Sequence, residues 1–121
     1  MSGFSIVPKG SLGISSVDER AITANESAPD SVTDGIACFG YSRACCSIVL
    51  DDATSIVLRP YVYLNGSWTR VLDSSGSPVS YTLATSGSLV FDIAGFERFI
   101  LSCSTTDGDL AINTVCCGPN L

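Results

Sequence analysis

The chain has 121 residues, 45% hydrophobic and only 15% charged, with 12 acidic and 6 basic side chains giving a formal net charge of −6. That length and apolar content suit one globular domain with its own core and exclude a disordered chain. The charge is −3 over residues 1–42 and −3 over residues 43–121, with no basic stripe, which argues against nucleic acid as a partner, and no apolar run approaches membrane-spanning length.

The first residues, MSGFSIVPKGSLGISS, show neither the basic start nor the unbroken apolar block of a secretory signal. The expectation is synthesis in a cytoplasm, where thiols usually stay reduced. Residues 1–42 mix short apolar pieces with Ser, Gly, Asp and Asn and sustain no helical period. They read as an extended amino-terminal arm with one or two short strands, or with a single short helix near VDERAITA. Residues 43–121 read as a separate β-sandwich domain, because from Arg43 onward apolar, β-branched runs alternate with turn residues.

Strands are predicted at about 43–50, 55–64, 67–73, 78–84, 88–93, 97–104 and 109–117, joined by DDAT, NG, SSGS, TSG, AGF and TTDG. Seven short strands without a convincing helix predict an all-β fold, an antiparallel β-sandwich or jelly-roll-like domain carrying the arm. Asn65-Gly66 is the preferred two-residue hairpin turn, since both residues accept positive φ. It places Leu64 opposite Ser67, Tyr63 opposite Trp68, Val62 opposite Thr69, Tyr61 opposite Arg70 and Arg59 opposite Leu72. One face is then Ile56, Leu58, Val62, Leu64 and Val71, the core side. Pro60 has no N–H for a ladder, which predicts an edge strand or a bulge. A four-residue loop, 105–108, makes the last two strands a second hairpin, with Cys103 opposite Leu110, Leu101 opposite Ile112 and Glu97 opposite Cys116. Phe99, Leu101, Cys103, Leu110 and Ile112 then share one apolar face. In that register Cys103 lies roughly 20 Å from Cys116 and Cys117.

Chemistry-bearing residues are few. Histidine is absent, so neither a zinc site nor a base for a nucleophilic cysteine can be assembled in the usual way. No GxSxG, phosphate loop or zincin motif is present, and the expectation is no enzyme activity, no cofactor and no metal. Asp51-Asp52 and the DGD at 107–109 lack the ligand spacing of a calcium loop and read as turns. The six cysteines include two adjacent pairs, Cys45-Cys46 and Cys116-Cys117. Adjacent residues of a strand point to opposite faces, so each pair offers one thiol to either side. Two readings stay open: most of the six are small buried apolar residues, or one of Cys45/Cys46 bonds to one of Cys116/Cys117 across neighbouring strands after release from the cytoplasm. Cys38, at the end of the arm, could link the arm to the body or to another chain.

The first hairpin's other face carries Arg59, Tyr61, Tyr63, Trp68 and Arg70, the residue types that dominate binding hot spots. This is the candidate partner-binding surface, for a protein or for a sugar stacked on Trp68 and the tyrosines. The alternative is a half-buried sandwich face closed by the arm.

Residues 91–115, FDIAGFERFILSCSTTDGDLAINTV, carry a corner at Asp92-Ile93-Ala94-Gly95-Phe96, an alternating strand at Phe99-Ile100-Leu101, a polar turn at 104–109 and a final strand from Leu110 to Val115. This pattern, over about a fifth of the chain, resembles the end of small structural proteins of tailed-bacteriophage virions. Six cysteines are a departure from that group. The resemblance implies a virion component, made in the host cytoplasm: a capsid decoration (cement) protein bound to the major capsid protein, usually a homo-oligomer with a trimer favoured, clamping neighbouring shell subunits with its arm. A tail, baseplate or fibre module binding host-surface carbohydrate is the second implication.

Overall fold

The computed structural model describes residues 17–22, 26, 28–31, 33–50, 56–105 and 110–119. Asp51-Asp52 and residues 107–109 lie outside these. Nine strands follow in chain order: β1 (Val17–Ile22), β2 (Ile36–Ala37), β3 (Tyr41–Leu50), β4 (Ile56–Leu64), β5 (Ser67–Arg70), β6 (Tyr81–Leu83), β7 (Gly87–Asp92), β8 (Arg98–Thr105) and β9 (Leu110–Pro119). They form two antiparallel sheets, one ordered β1-β9-β3-β7, the other β2-β8-β4-β5 with β6 also pairing β4. The fold is all-β, and apart from the run β4-β5-β6 each strand is followed by one in the other sheet, a sandwich-like arrangement.

The core forms where the inward faces meet. Ala44, Cys46, Ile48, Phe91, Leu110, Ile112 and Cys116 of the first sheet pack with Ile36, Ile56, Leu58, Val62, Phe99, Leu101 and Cys103 of the second. Phe91 and Phe99 join the layers directly, their ring centroids 5.2 Å apart. Thr114 is the polar intruder on the inward side of β9. Its hydroxyl donates to Cys46 Sγ at 3.3 Å, which removes much of the cost of burying it.

All seven predicted strands are present, and the Asn65-Gly66 hairpin has the predicted register from Leu64–Ser67 to Tyr61–Arg70. Its turn places Asn65 at φ 53° and Gly66 at φ 84°, as a type I′ turn requires. Beyond Arg70 the ladder stops: Leu72 bridges Pro78 rather than Arg59. Leu64, expected in the core, is 41% exposed, because it sits at the turn end of β4, beyond the last buried rung at Val62.

Four further expectations are corrected. The short strands expected in residues 1–42 are present as β1 and β2, and the alternative short helix is not: Val17–Ile22 form β1, in register with β9 from Val17–Val115 to Ile22–Leu110. Six residues are too few to sustain a lone helix, whereas the edge of β9 supplies a complete ladder. The last two strands do not form a hairpin either. β8 pairs β4 and β2, and β9 pairs β3 and β1, so the two strands lie in different sheets. The face shared by Phe99, Leu101, Cys103, Leu110 and Ile112 is real, but its two halves look at each other across the core instead of lying side by side. The distance argument about Cys103 falls with that hairpin. Pro60 is neither at an edge nor in a bulge: it lies inside β4, opposite Leu101 of β8. On its other side β4 exchanges β6, which pairs up to Leu58, for β5, which begins at Tyr61. The missing donor falls in that gap, where Pro60 still accepts a bond from Val71 N at 3.2 Å.

Candidate partner-binding face and cysteine pairs

Alternation along β4 sends Ile56, Leu58, Pro60 and Val62 inward and leaves Val57, Arg59, Tyr61 and Tyr63 half-buried on the outer face. β5 adds Trp68 beside Tyr63 and Arg70 beside Tyr61. The structure therefore brings together all five residues singled out as a candidate surface. Tyr63 and Trp68 meet edge to face with centroids 5.2 Å apart. The Arg70 guanidinium carbon sits 5.4 Å from the centre of the Tyr61 ring, within cation–π range, and its Nη2 donates to Val79 O at 2.8 Å.

What lies over this face matches the alternative reading, closure by the arm. Chain from the amino-terminal region crosses it as a strap. Glu26 is tied to β8 by two bonds, Glu26 N to Cys103 O at 2.9 Å and Cys103 N to Glu26 Oε1 at 3.1 Å. Farther along, Trp68 Nε1 donates to Ser31 O at 2.9 Å. Arg98 then gathers three successive carbonyls, Asp34 through Nε at 2.9 Å and Gly35 and Thr33 through Nη2 at 2.9 and 3.4 Å. Arg98 was missed as a site residue. Its outward position follows from the Phe99/Leu101 alternation, but its acceptors are backbone groups more than 60 residues away. Trp68 is thus part of the strap's anchorage, and its one polar donor is already used.

The arginine end of the face differs. By register Ser102 lies opposite Arg59 on the outer side, yet it is only 1% exposed, so the face is covered there. Ser102 Oγ, Arg59 Nε and Arg70 Nε are all buried without a hydrogen-bond partner among the described residues. A buried unsatisfied polar group costs about 1–3 kcal/mol, and three on one face make this end the part of the molecule best served by added acceptors.

All six cysteines are thiols. β3 and β9 are neighbours, with Cys45 opposite Val115 and Cys46 opposite Thr114. On the outer side Cys45 Sγ lies 3.3 Å from Cys117 Sγ, both half-buried. Burial and the adjacent Cys117 sulfur push the Cys45 thiol up, only partly opposed by Arg43. On the inner side Cys46 meets Thr114, while Cys116 meets Cys38 in the core. Cys116 donates to the Cys38 sulfur, which holds the Cys116 thiol up and the Cys38 thiol down. Cys38 in turn donates to Phe96 O at 3.5 Å. The adjacent cysteines of β9 therefore each have a sulfur partner, one per face.

No protein family matches this chain, and no curated protein does. Among solved structures, the SPBc2 prophage-derived protein YomS aligns over 87% of this chain and 97% of its own, at 17% identity and a TM-score of 0.49. A chain of the Bacillus endospore appendages, described as a family of disulfide-linked pili, aligns over 97% and 99% at 18% identity and a TM-score of 0.35. At these levels the likenesses assign the chain to no family.

Proposed function

We propose that this protein is a non-enzymatic structural component of a bacteriophage particle, a capsid decoration protein that binds neighbouring shell subunits as a homo-oligomer. The observation that carries the reading is the arginine end of the outer face. Arg59 and Arg70 flank Tyr61 there, and their Nε donors lack acceptors among the described residues. A protein partner presenting carboxylates or carbonyls would supply them through small side-chain movements, and arginine beside tyrosine is a favoured hot-spot composition. The absence of histidine from the sequence and the likeness of residues 91–115 to virion proteins support the same reading. Many copies, each making a modest contact, would together stabilise a shell.

Quantitative mass spectrometry of purified particles tests it, with the copy number referred to the shell protein. Hundreds of copies are expected, and none would end the proposal. Arg59→Ala is expected to weaken binding to isolated shells at least tenfold without changing the circular dichroism of the free protein, since losing a hot-spot arginine costs about 2 kcal/mol or more. A dozen or so copies per particle, with glycan binding that depends on Trp68, would instead favour the carbohydrate-binding tail or fibre module.

A further inference from the structure

We propose that Cys45 and Cys117 form a thiol–disulfide exchange site on the outer face of the first sheet, whose oxidation latches β9 to β3, while Cys38 and Cys116 stay reduced in the folded core. The inference is independent of the proposed function. It rests first on placement. Cys45 and Cys117 are diagonal neighbours on one face of the β3–β9 ladder, two positions apart in register, with sulfurs 3.3 Å apart. Closing to the bond length of about 2.05 Å needs little more than a side-chain rotation and a small approach of the strands. The second ground is access. Both thiols are half-buried, whereas Cys38, Cys46, Cys103 and Cys116 are at most 2% exposed. Cys45 also borders a groove of about 280 Å³ lined by Ser47, Ser88, Val90, Asn113 and Val115. Val90 on its wall is 61% exposed. The groove gives the organic part of an incoming disulfide somewhere to lie.

The step balances without further reagents when the oxidant is a low-molecular-weight disulfide, RSSR. The thiolate of Cys117 attacks one sulfur of RSSR, forming a mixed disulfide and expelling RS⁻. Cys45, whose sulfur lies 3.3 Å from that of Cys117, loses its proton and attacks the Cys117 sulfur, expelling the second RS⁻. The two protons released by the cysteines are taken up by the leaving thiolates. Two protein thiols are oxidised to one bond and RSSR is reduced to two RSH. Diagonal partners lie about 7–8 Å apart at Cα, just beyond the usual disulfide span of about 4.4–6.8 Å, so β3 and β9 must draw together slightly as the bond closes, and the strained bond reopens readily and acts as a latch. The same strand's inward Cys116 faces Cys38 across the core, where no solvent-borne disulfide reaches it.

The test uses the full folded chain and oxidised glutathione. After incubation, free thiols are alkylated, the protein is digested without reductant, and crosslinked peptides are mapped. The expected product has lost two hydrogens and carries one bond, Cys45 to Cys117, with the other four cysteines alkylated only after unfolding. Its thermal midpoint is higher than that of the reduced chain, and mild reductant restores the lower value. Cys45→Ser is expected to stop at a glutathione adduct on Cys117. Three results would overturn the proposal: no intrachain bond, a bond involving Cys38 or Cys116, or a glutathione adduct that persists on Cys117 while Cys45 is intact. The wild-type map alone decides the matter should the variant fail to fold.

Discussion

Replacing Phe99 with alanine is expected to lower the unfolding free energy by about 3–5 kcal/mol, the usual cost of truncating a buried aromatic ring. Phe99 is fully buried and among the largest side chains in the core. It reaches across from β8 to Phe91 on β7, with the rings tilted 38° and 5.2 Å apart, and Phe91 in turn meets Tyr81 at 5.8 Å. Its removal opens a cavity between two sheets that are held together chiefly by such contacts, and neither sheet can move in to fill it without breaking its own ladders. Urea unfolding followed by circular dichroism measures the loss. Phe99→Leu, which keeps most of the volume, should recover more than half of it. A Phe99→Ala variant within about 1 kcal/mol of wild type, well below the range for such truncations, would mean that the sheets do not share this core.

Gly35→Ala is expected to cost about 3 kcal/mol and to unseat the strap. Gly35 has φ 68°, a left-handed conformation that costs an L-residue about 1–2 kcal/mol. A Cβ there would overlap the carbonyl oxygen of Phe99 and stand 3.0 Å from Ile100 Cβ. The oxygen belongs to the backbone of a central strand and cannot retreat, so the overpacking falls on residues 33–35, the segment whose carbonyls Arg98 collects. Because Trp68 is bonded to Ser31 on the same strap, tryptophan emission should shift to the red in Gly35→Ala, and likewise in Arg98→Ala, before the β-sheet signal changes. Stability and emission both unchanged in Gly35→Ala would show that the strap is not held where the structure has it.

Local chemistry alone determined a good deal of this molecule. Asn65-Gly66 admits the positive φ values that few other residue pairs tolerate, so its hairpin and the pairing of Tyr63 with Trp68 were legible from two letters. Period-two alternation in FILSC and in LAI separated inward from outward side chains, because successive Cβ atoms must point to opposite faces. The adjacent pairs Cys45-Cys46 and Cys116-Cys117 had to split between faces for the same reason. Alternation says which side of a strand is apolar but not what that side looks at. For this reason β8 and β9 read equally well as a hairpin and as strands of facing sheets, and only the competition of β3, β4 and β1 for their edges decided between the two. The same limit hid how the strap is anchored, although closure of this face by the arm was one of the two readings the sequence left open. Ser31, Arg98 and Gly35 meet through backbone carbonyls, which every residue carries and no sequence pattern marks. The tertiary structure alone decided that Cys117 would face Cys45, that Cys116 would face Cys38, and that Trp68 would spend its N–H on the chain's own beginning. Each of these contacts joins residues at least 37 positions apart, where the register of whole strands, not any local preference, sets the distance.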